Sequence, residues 1–321
     1  MSKHIIFIDP LEKLIPKKDS SLLLAHELQQ IGEEVKILYK NELFLSTNKN
    51  LKYLMHNFES KVGDNFYLSH FALKNHSEVQ ILSSDTIHMR LEPPFDLSYM
   101  RSLWILDFLK REIGCKVIND PNGILNNNEK ISSFLSEDFI ETFIGSSVDK
   151  FLAVVENYRE IGIDEIILKP IDLFQGIGVK KIKLSCRIDE LKQSFLQMVE
   201  EFKGPIMVQP FQKEIVKGEI RAIFFKHKLM GAIQKIPKQG SFLANIAQGA
   251  SFNKIELNNA QMKNCLKVCR HLGDAVPWVA FDIIGNKVSE VNVTCPGLLV
   301  EVSNAENKNL AAEIAQQILN L

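Results

Sequence analysis

The 321-residue sequence predicts an α/β chain, a small parallel α/β unit followed by two α+β lobes. Three observations predict it. Short apolar strands alternate with capped helices through about residue 124, which argues for strand–helix–strand units. From residue 206 onward the pattern turns mostly to β. Near the end, residues 281–294 read as two strands around a Gly285-Asn286 turn, with acid and amide groups at their ends. The expected division is 1–124, 125–205 and 206–321.

The elements follow in order. Residues 5–8 form a strand closed by Asp9-Pro10. Asp19-Ser20 then stands before an apolar helical face, with Gly32 at its far end, the order of an N-cap, a helix and a C-terminal glycine. Residues 35–39 are a strand, and 86–90 another that leads into Leu91-Glu92-Pro93-Pro94-Phe95-Asp96. A helix over 99–111 and a strand over 116–119 complete the first unit. Helices are expected over 129–135 and 148–160, a strand over 163–169, an interruption at Gly176-Ile177-Gly178, a strand over 179–182 and an amphipathic helix over 188–202. The remaining strands are 206–209, 219–225, 229–235, 278–284 and 287–293, with helices over 261–272 and 305–319.

Composition narrows the function. Lys and Arg number 38 against 39 Asp and Glu, and a net charge of −1 argues for neither nucleic acid nor an anionic membrane as partner. No apolar run approaches the ~18 residues of a membrane span, and the opening apolar run is too short for a signal-peptide core. The five cysteines are odd in number and dispersed, which fits buried thiols in a reducing compartment. A cytoplasmic chain is expected.

The chemistry concentrates at the terminal hairpin. Glu290 and Asn292 are two apart, so the pleat points both to one face. If the strands pair, Asp282 falls opposite them, and three hard oxygen ligands meet. Two carboxylates and an amide, with no Cys or His, suit Mg²⁺ that also holds phosphates. Lys169 ends an apolar strand just before the loop Asp172-Leu173-Phe174-Gln175-Gly176-Ile177-Gly178-Val179. Such a loop cradles phosphate with backbone amides, and a cation completes the clamp. Taken alone, Lys169 is also compatible with a solvated strand end.

The spacing Asp-x7-Glu-x-Asn followed by Val-Thr-Cys-Pro-Gly resembles the magnesium end of the ATP-grasp enzymes, and within them the prokaryotic glutathione synthetases. Asp9-Pro10, Lys17-Lys18-Asp19-Ser20-Ser21 and Met89-Arg90-Leu91-Glu92-Pro93-Pro94-Phe95-Asp96 support the narrower family, and the resemblance runs over residues 4–305. It implies a Rossmann-like first domain and two lobes enclosing ATP. It implies ATP-phosphate contacts for Lys130 and Lys169, with Gln175 and Gly176 in the phosphate loop. Gln209, Pro210 and Phe211 become the hinge at the adenine edge, Glu219 the ribose acid and Arg221 the catalytic arginine near the transferring phosphate. Asp19, Ser20, Arg90 and Asn245 become substrate-binding, with Arg90 gripping a carboxylate. Asp282, Glu290 and Asn292 become ligands of Mg²⁺, or of Mn²⁺ in its place. Two departures stand out. The phosphate loop is poor in glycine, its Gln175-Gly176-Ile177-Gly178-Val179 looking like that of the ribosomal-protein glutamate ligases. Leu243 occupies the place of an expected arginine.

The implied activity is an ATP- and Mg²⁺-dependent carboxylate–amine ligase acting through an acyl phosphate, with γ-glutamylcysteine and glycine as small-molecule substrates and a homo-oligomeric state. A ligase of the same chemistry with another acid or amine, and a catalytically silent nucleotide-binding protein, are the alternatives.

Overall fold

The computed structural model describes residues 2–47, 50–246 and 249–321. Its first sheet contains β1 (Lys3–Ile8), β2 (Glu34–Tyr39), β3 (Tyr53–Val62), β4 (Leu68–Val79), β5 (Thr86–Met89) and β6 (Lys116–Ile118), in the order β4-β3-β2-β1-β5-β6. The four strands β2, β1, β5 and β6 run parallel, as expected for strands joined by helices. β3 and β4 correct the expectation of a purely parallel unit, since they form a long antiparallel hairpin on its edge. Most of β4 is exposed or half-buried, so neither of its faces carries the apolar alternation that marks a strand.

The second sheet contains β7 (Phe143–Gly145), β8 (Glu165–Pro170), β9 (Lys180–Lys183) and β10 (Ile206–Pro210), all antiparallel, in the order β7-β10-β8-β9. The third contains β11 (Glu219–Phe225), β12 (Lys228–Ile236), β13 (Ser251–Lys254), β14 (Trp278–Ile284) and β15 (Lys287–Asn292), in the order β13-β12-β11-β14-β15. Gly285, at φ +61, turns β14 into β15, a backbone state that a glycine adopts without steric cost.

The helices are α1 (Ser20–Gln30), α2 (Leu97–Ile113), α3 (Pro121–Leu125), α4 (Val148–Glu160), α5 (Ile188–Glu201), α6 (Asn259–Leu272), α7 (Leu299–Glu306) and α8 (Leu310–Ile318), and all but α5 and α7 start at a side-chain cap. Asp19 accepts from the amides of Ser21 and Leu22, Asp96 from that of Tyr99, and Asn258 with Gln261 forms a reciprocal capping box. The helix expected over 129–135 is a 3-10 segment, Ile131–Leu135. That expected over 305–319 is two helices, broken where Asn307 turns left-handed at φ +51.

The cores explain how the parts are joined. α4 and α5 cover one face of the second sheet, with Phe151 and Phe195 stacked at 4.3 Å between ring centroids. That lobe therefore has a core of its own. The first sheet and the third lobe instead share one core, in which Leu22, Leu24 and Leu28 of α1 belong with Ile314 and Ile318 of α8.

Candidate active site

A cavity of about 990 Å³ opens between the second and third sheets and runs to the start of α1. A volume of this order accommodates a nucleotide together with a second small molecule. Its floor is the β14–β15 hairpin. Asp282 pairs with Glu290 across the strands and Ala280 with Asn292, which places the three residues on one side. The Asn292 amide nitrogen lies 3.3 Å from Asp282 Oδ2. Among the described residues no three His, Cys, Asp or Glu side chains converge as metal ligands. The donor set is two carboxylates and an amide, which fits a hard divalent cation.

Cations already hold those carboxylates. Arg221 on β11 donates to both oxygens of Asp282, at 2.9 and 2.7 Å, in a bidentate fork. Lys235 on β12 donates to Asp282 at 2.8 Å and to Glu219 at 2.7 Å. Lys130 donates to Glu290 Oε1 at 3.0 Å and also to the carbonyl of Leu173 in the phosphate loop. Burial disfavours the ionised form of Asp282, but Arg221 and Lys235 outweigh it and hold its carboxyl far below the ordinary range. Burial pushes the Glu219 carboxyl up, with Lys235 opposing. Lys169, on β8, lines the cavity, and burial lowers the pKa of its ammonium. An incoming phosphate would offset that cost.

The remaining expected residues divide. Gln209, Pro210 and Phe211 line the cavity at the end of β10, and the Gln209 side chain is tied to Thr142 Oγ1 at 2.8 Å. Gln175 and Gly176 line it too, at φ +53 and +79. The side chain of Asn245 donates to the carbonyl of Gln175, and a Cβ on Gly176 would lie 2.9 Å from Leu243 Cδ1. Leu243 thus sits against the phosphate loop where an arginine was expected. Asp19 and Ser20 line the far end, where Asp19 Oδ1 caps α1 and Ser20 Oγ accepts from the amide of Leu299.

Arg90 is held by partners from distant parts of the chain. It is 3% exposed and lies outside the cavity lining. Its guanidinium donates to Ser21 Oγ and to the Pro296 carbonyl, both at 2.9 Å, and stacks 4.1 Å over Trp278. It ties the first domain to the third lobe. The cavity's first-domain end is lined by Lys13, Lys18 and Lys40.

Sequence reasoning missed Lys235, whose burial depends on two acids from other strands. It also missed Glu129, which accepts from Val293 N, Thr294 N and Thr294 Oγ1 and so ties the end of the metal strand to the segment that leads into Ile131–Leu135. The raised pKa of Glu129, caused by burial and then by Glu290, belongs to that packed position.

Known proteins agree with this layout. The profile of the prokaryotic glutathione synthetase N-terminal domain matches residues 2–124, and that of the family's ATP-grasp domain matches residues 129–307. The chain belongs to the prokaryotic glutathione synthetase family. Its relatives include the glutathione synthetase of Prochlorococcus marinus subsp. pastoris, 27% identical over 329 residues and 99% of both chains. That of Agrobacterium fabrum is 30% identical over 250 residues, covering 76% of this chain and 74% of its own. Among solved structures, D-cycloserine synthetase DcsG superposes with a TM-score of 0.65 at 11% identity, over 98% of this chain and 99% of its own. Macrocyclase MdnC bound with precursor peptide MdnA from Microcystis aeruginosa MRC gives 0.65 at 10% identity, over 99% and 100%. At such identities these likenesses establish the ATP-grasp fold. As a member of the glutathione synthetase family, the protein is an ATP-dependent ligase that forms a carbon–nitrogen bond between small molecules and uses a divalent metal ion. Among the described residues no helix is long and apolar enough to cross a membrane.

Proposed function

We propose that the protein joins γ-glutamylcysteine to glycine at the expense of ATP, giving glutathione, ADP and phosphate, with Mg²⁺ as its metal. The observation that carries this reading is the arrangement of Asp282, Glu290 and Asn292 on one cavity wall, with Lys130, Lys169 and Arg221 around them. Full-length similarity to glutathione synthetases supports the choice of substrates.

ATP lies between the second and third sheets, its adenine at Gln209–Phe211 and its ribose toward Glu219. The loop holding Gln175 and Gly176 covers the phosphates. The acid's carboxylate oxygen attacks the γ-phosphorus, the bond to the β-phosphate oxygen breaks, and ADP leaves from an acyl phosphate. The amine nitrogen then attacks the acyl carbon and phosphate leaves. Bound at Asp282, Glu290 and Asn292, Mg²⁺ supplies charge neutralisation to the phosphates. Lys130 and Lys169 hold the phosphates, while Arg221 stabilises the charge on the transferring group. The chain's contribution is positioning and preorganised charge. Asp19, Ser20 and Asn245 belong to the walls around the acid, and a homo-oligomer and a cytoplasmic location complete the proposal.

ADP release, measured with γ-glutamylcysteine plus glycine, with each alone and with neither, tests it. Release that needs both substrates is expected, and ADP release unmoved by γ-glutamylcysteine would favour another acid. Asp282→Asn is expected to cut turnover at least a hundredfold with the fold intact by circular dichroism.

A further inference from the structure

Glu301 stands in the first turn of α7, 2% exposed, and lines the cavity. Its Oε2 atom is buried and has no hydrogen-bond partner. A buried carboxylate oxygen without a partner is costly, and a native fold keeps one where something else completes it. Its place is fixed from two sides. The amide of Leu299 donates to Ser20 Oγ, which pins the start of α7 to the start of α1. Lys18 and Asp19, just before α1, wall the same end of the cavity. The charged and titratable groups around Glu301 are Lys18, Asp19, Arg221 and Tyr67. Arg221, the residue that grips Asp282, lines the same cavity.

We propose that Glu301 is the amine site of the ligase, receiving the second substrate's ammonium on Oε2 and taking a proton from it before attack. The assignment rests on the ligase reading above and adds to it the group that readies the nucleophile. An amino acid arrives as an ammonium ion, which has no lone pair for the acyl carbon. One N–H proton passes to Glu301 Oε2, and the freed nitrogen pair forms the C–N bond. The C–O bond to phosphate breaks, and the departing phosphate takes the second nitrogen proton as HPO₄²⁻. Glu301 returns its proton to water after the products leave. Burial raises its carboxyl pKa, which brings it closer to a useful base at neutral pH. Arg221 and Lys18 oppose that rise and keep the carboxylate available.

Two measurements on Glu301→Gln test the assignment. Positional isotope exchange in γ-¹⁸O-labelled ATP with γ-glutamylcysteine and no glycine reads acyl-phosphate formation alone. Ligation at limiting glycine reads the amine step. The expected result is exchange within about twofold of wild type, with kcat/KM for glycine lower by on the order of a hundredfold. The loss should shrink at alkaline pH, where glycine carries its own free amine, and Glu301→Asp should recover part of it. Unchanged kcat/KM for glycine overturns the assignment. So does equal loss of exchange and ligation, which would make Glu301 structural. If wild-type enzyme exchanges isotope but ligates no glycine, the substrate reading fails together with this one.

Discussion

At the scale of single residues, the cavity mixes groups that ionise easily with groups that burial keeps from doing so. Glu92 belongs to the second kind. Burial, with Asp19 and Asp9 nearby, pushes its carboxyl up to about 7 against relief from Cys295 and Arg90. A carboxyl whose native pKa is raised holds its proton more tightly folded than unfolded. It therefore withdraws stability as pH climbs from about 4.5 to about 7, and the loss is complete above that. Glu92→Gln removes the titration. Thermal denaturation is expected to give equal Tm values for both proteins at pH 4.5 and a mutant a few degrees more stable at pH 8, equivalent to about 1–2 kcal/mol. Equal Tm values at pH 8 would mean that Glu92 ionises normally in the folded chain. Lys235 shows the opposite economy of charge. Burial disfavours its ammonium, but Asp282 and Glu219 more than restore it. A lone lysine on an alternating strand reads as solvent-facing in sequence, which is why it escaped notice. Glu301, an acid in a helix's first turn, reads as an ordinary surface group for the same reason.

At the scale of elements, strongly marked ends were legible. Asp19, Asp96 and Asn258 each cap the helix that follows, and Gly285 sits in the predicted turn. The metal-strand pairing was also legible, because a period of two fixes which side chains share a face. The β3–β4 hairpin was not, since β4 is mostly exposed or half-buried and β3 buries only Tyr53, Met55 and Phe58. Nor was the break at Asn307, where a left-handed residue interrupts a continuous apolar stripe. Arg90 was read as a ligand because its motif lies at a strand end, and its partners in Pro296 and Trp278 are about 200 residues away. The loops facing each other across the cavity carry the chain's own signature, Leu243 packed on Gly176. Leu243→Arg places a guanidinium on the cavity wall. The expected outcome is a KM for γ-glutamylcysteine several times lower, with the KM for ATP within twofold. No gain would mean that Lys13, Lys18 or Lys40 already supplies the charge.

At the scale of the whole molecule, the second lobe carries an independent core, while the first domain and third lobe, besides a core each, share a further one. Motion that admits nucleotide is therefore expected between the second lobe and the rest, while Glu129 and the segment after it stay with the third lobe. The doubly gripped Asp282 has a bearing on how the protein lives with a changing ion supply. Asp282, Glu219 and Glu290 are matched by lysine and arginine before any metal arrives, so folding does not wait for an ion to screen them. Chelation should then silence the enzyme without unfolding it. In excess EDTA the melting temperature is expected to stay within about 2 °C of the untreated protein while ligation disappears, and a collapse of Tm would show the metal to be structural. A chain built this way can be made, folded and stored in a metal-poor cell, and is expected to switch on when a divalent ion returns with the nucleotide.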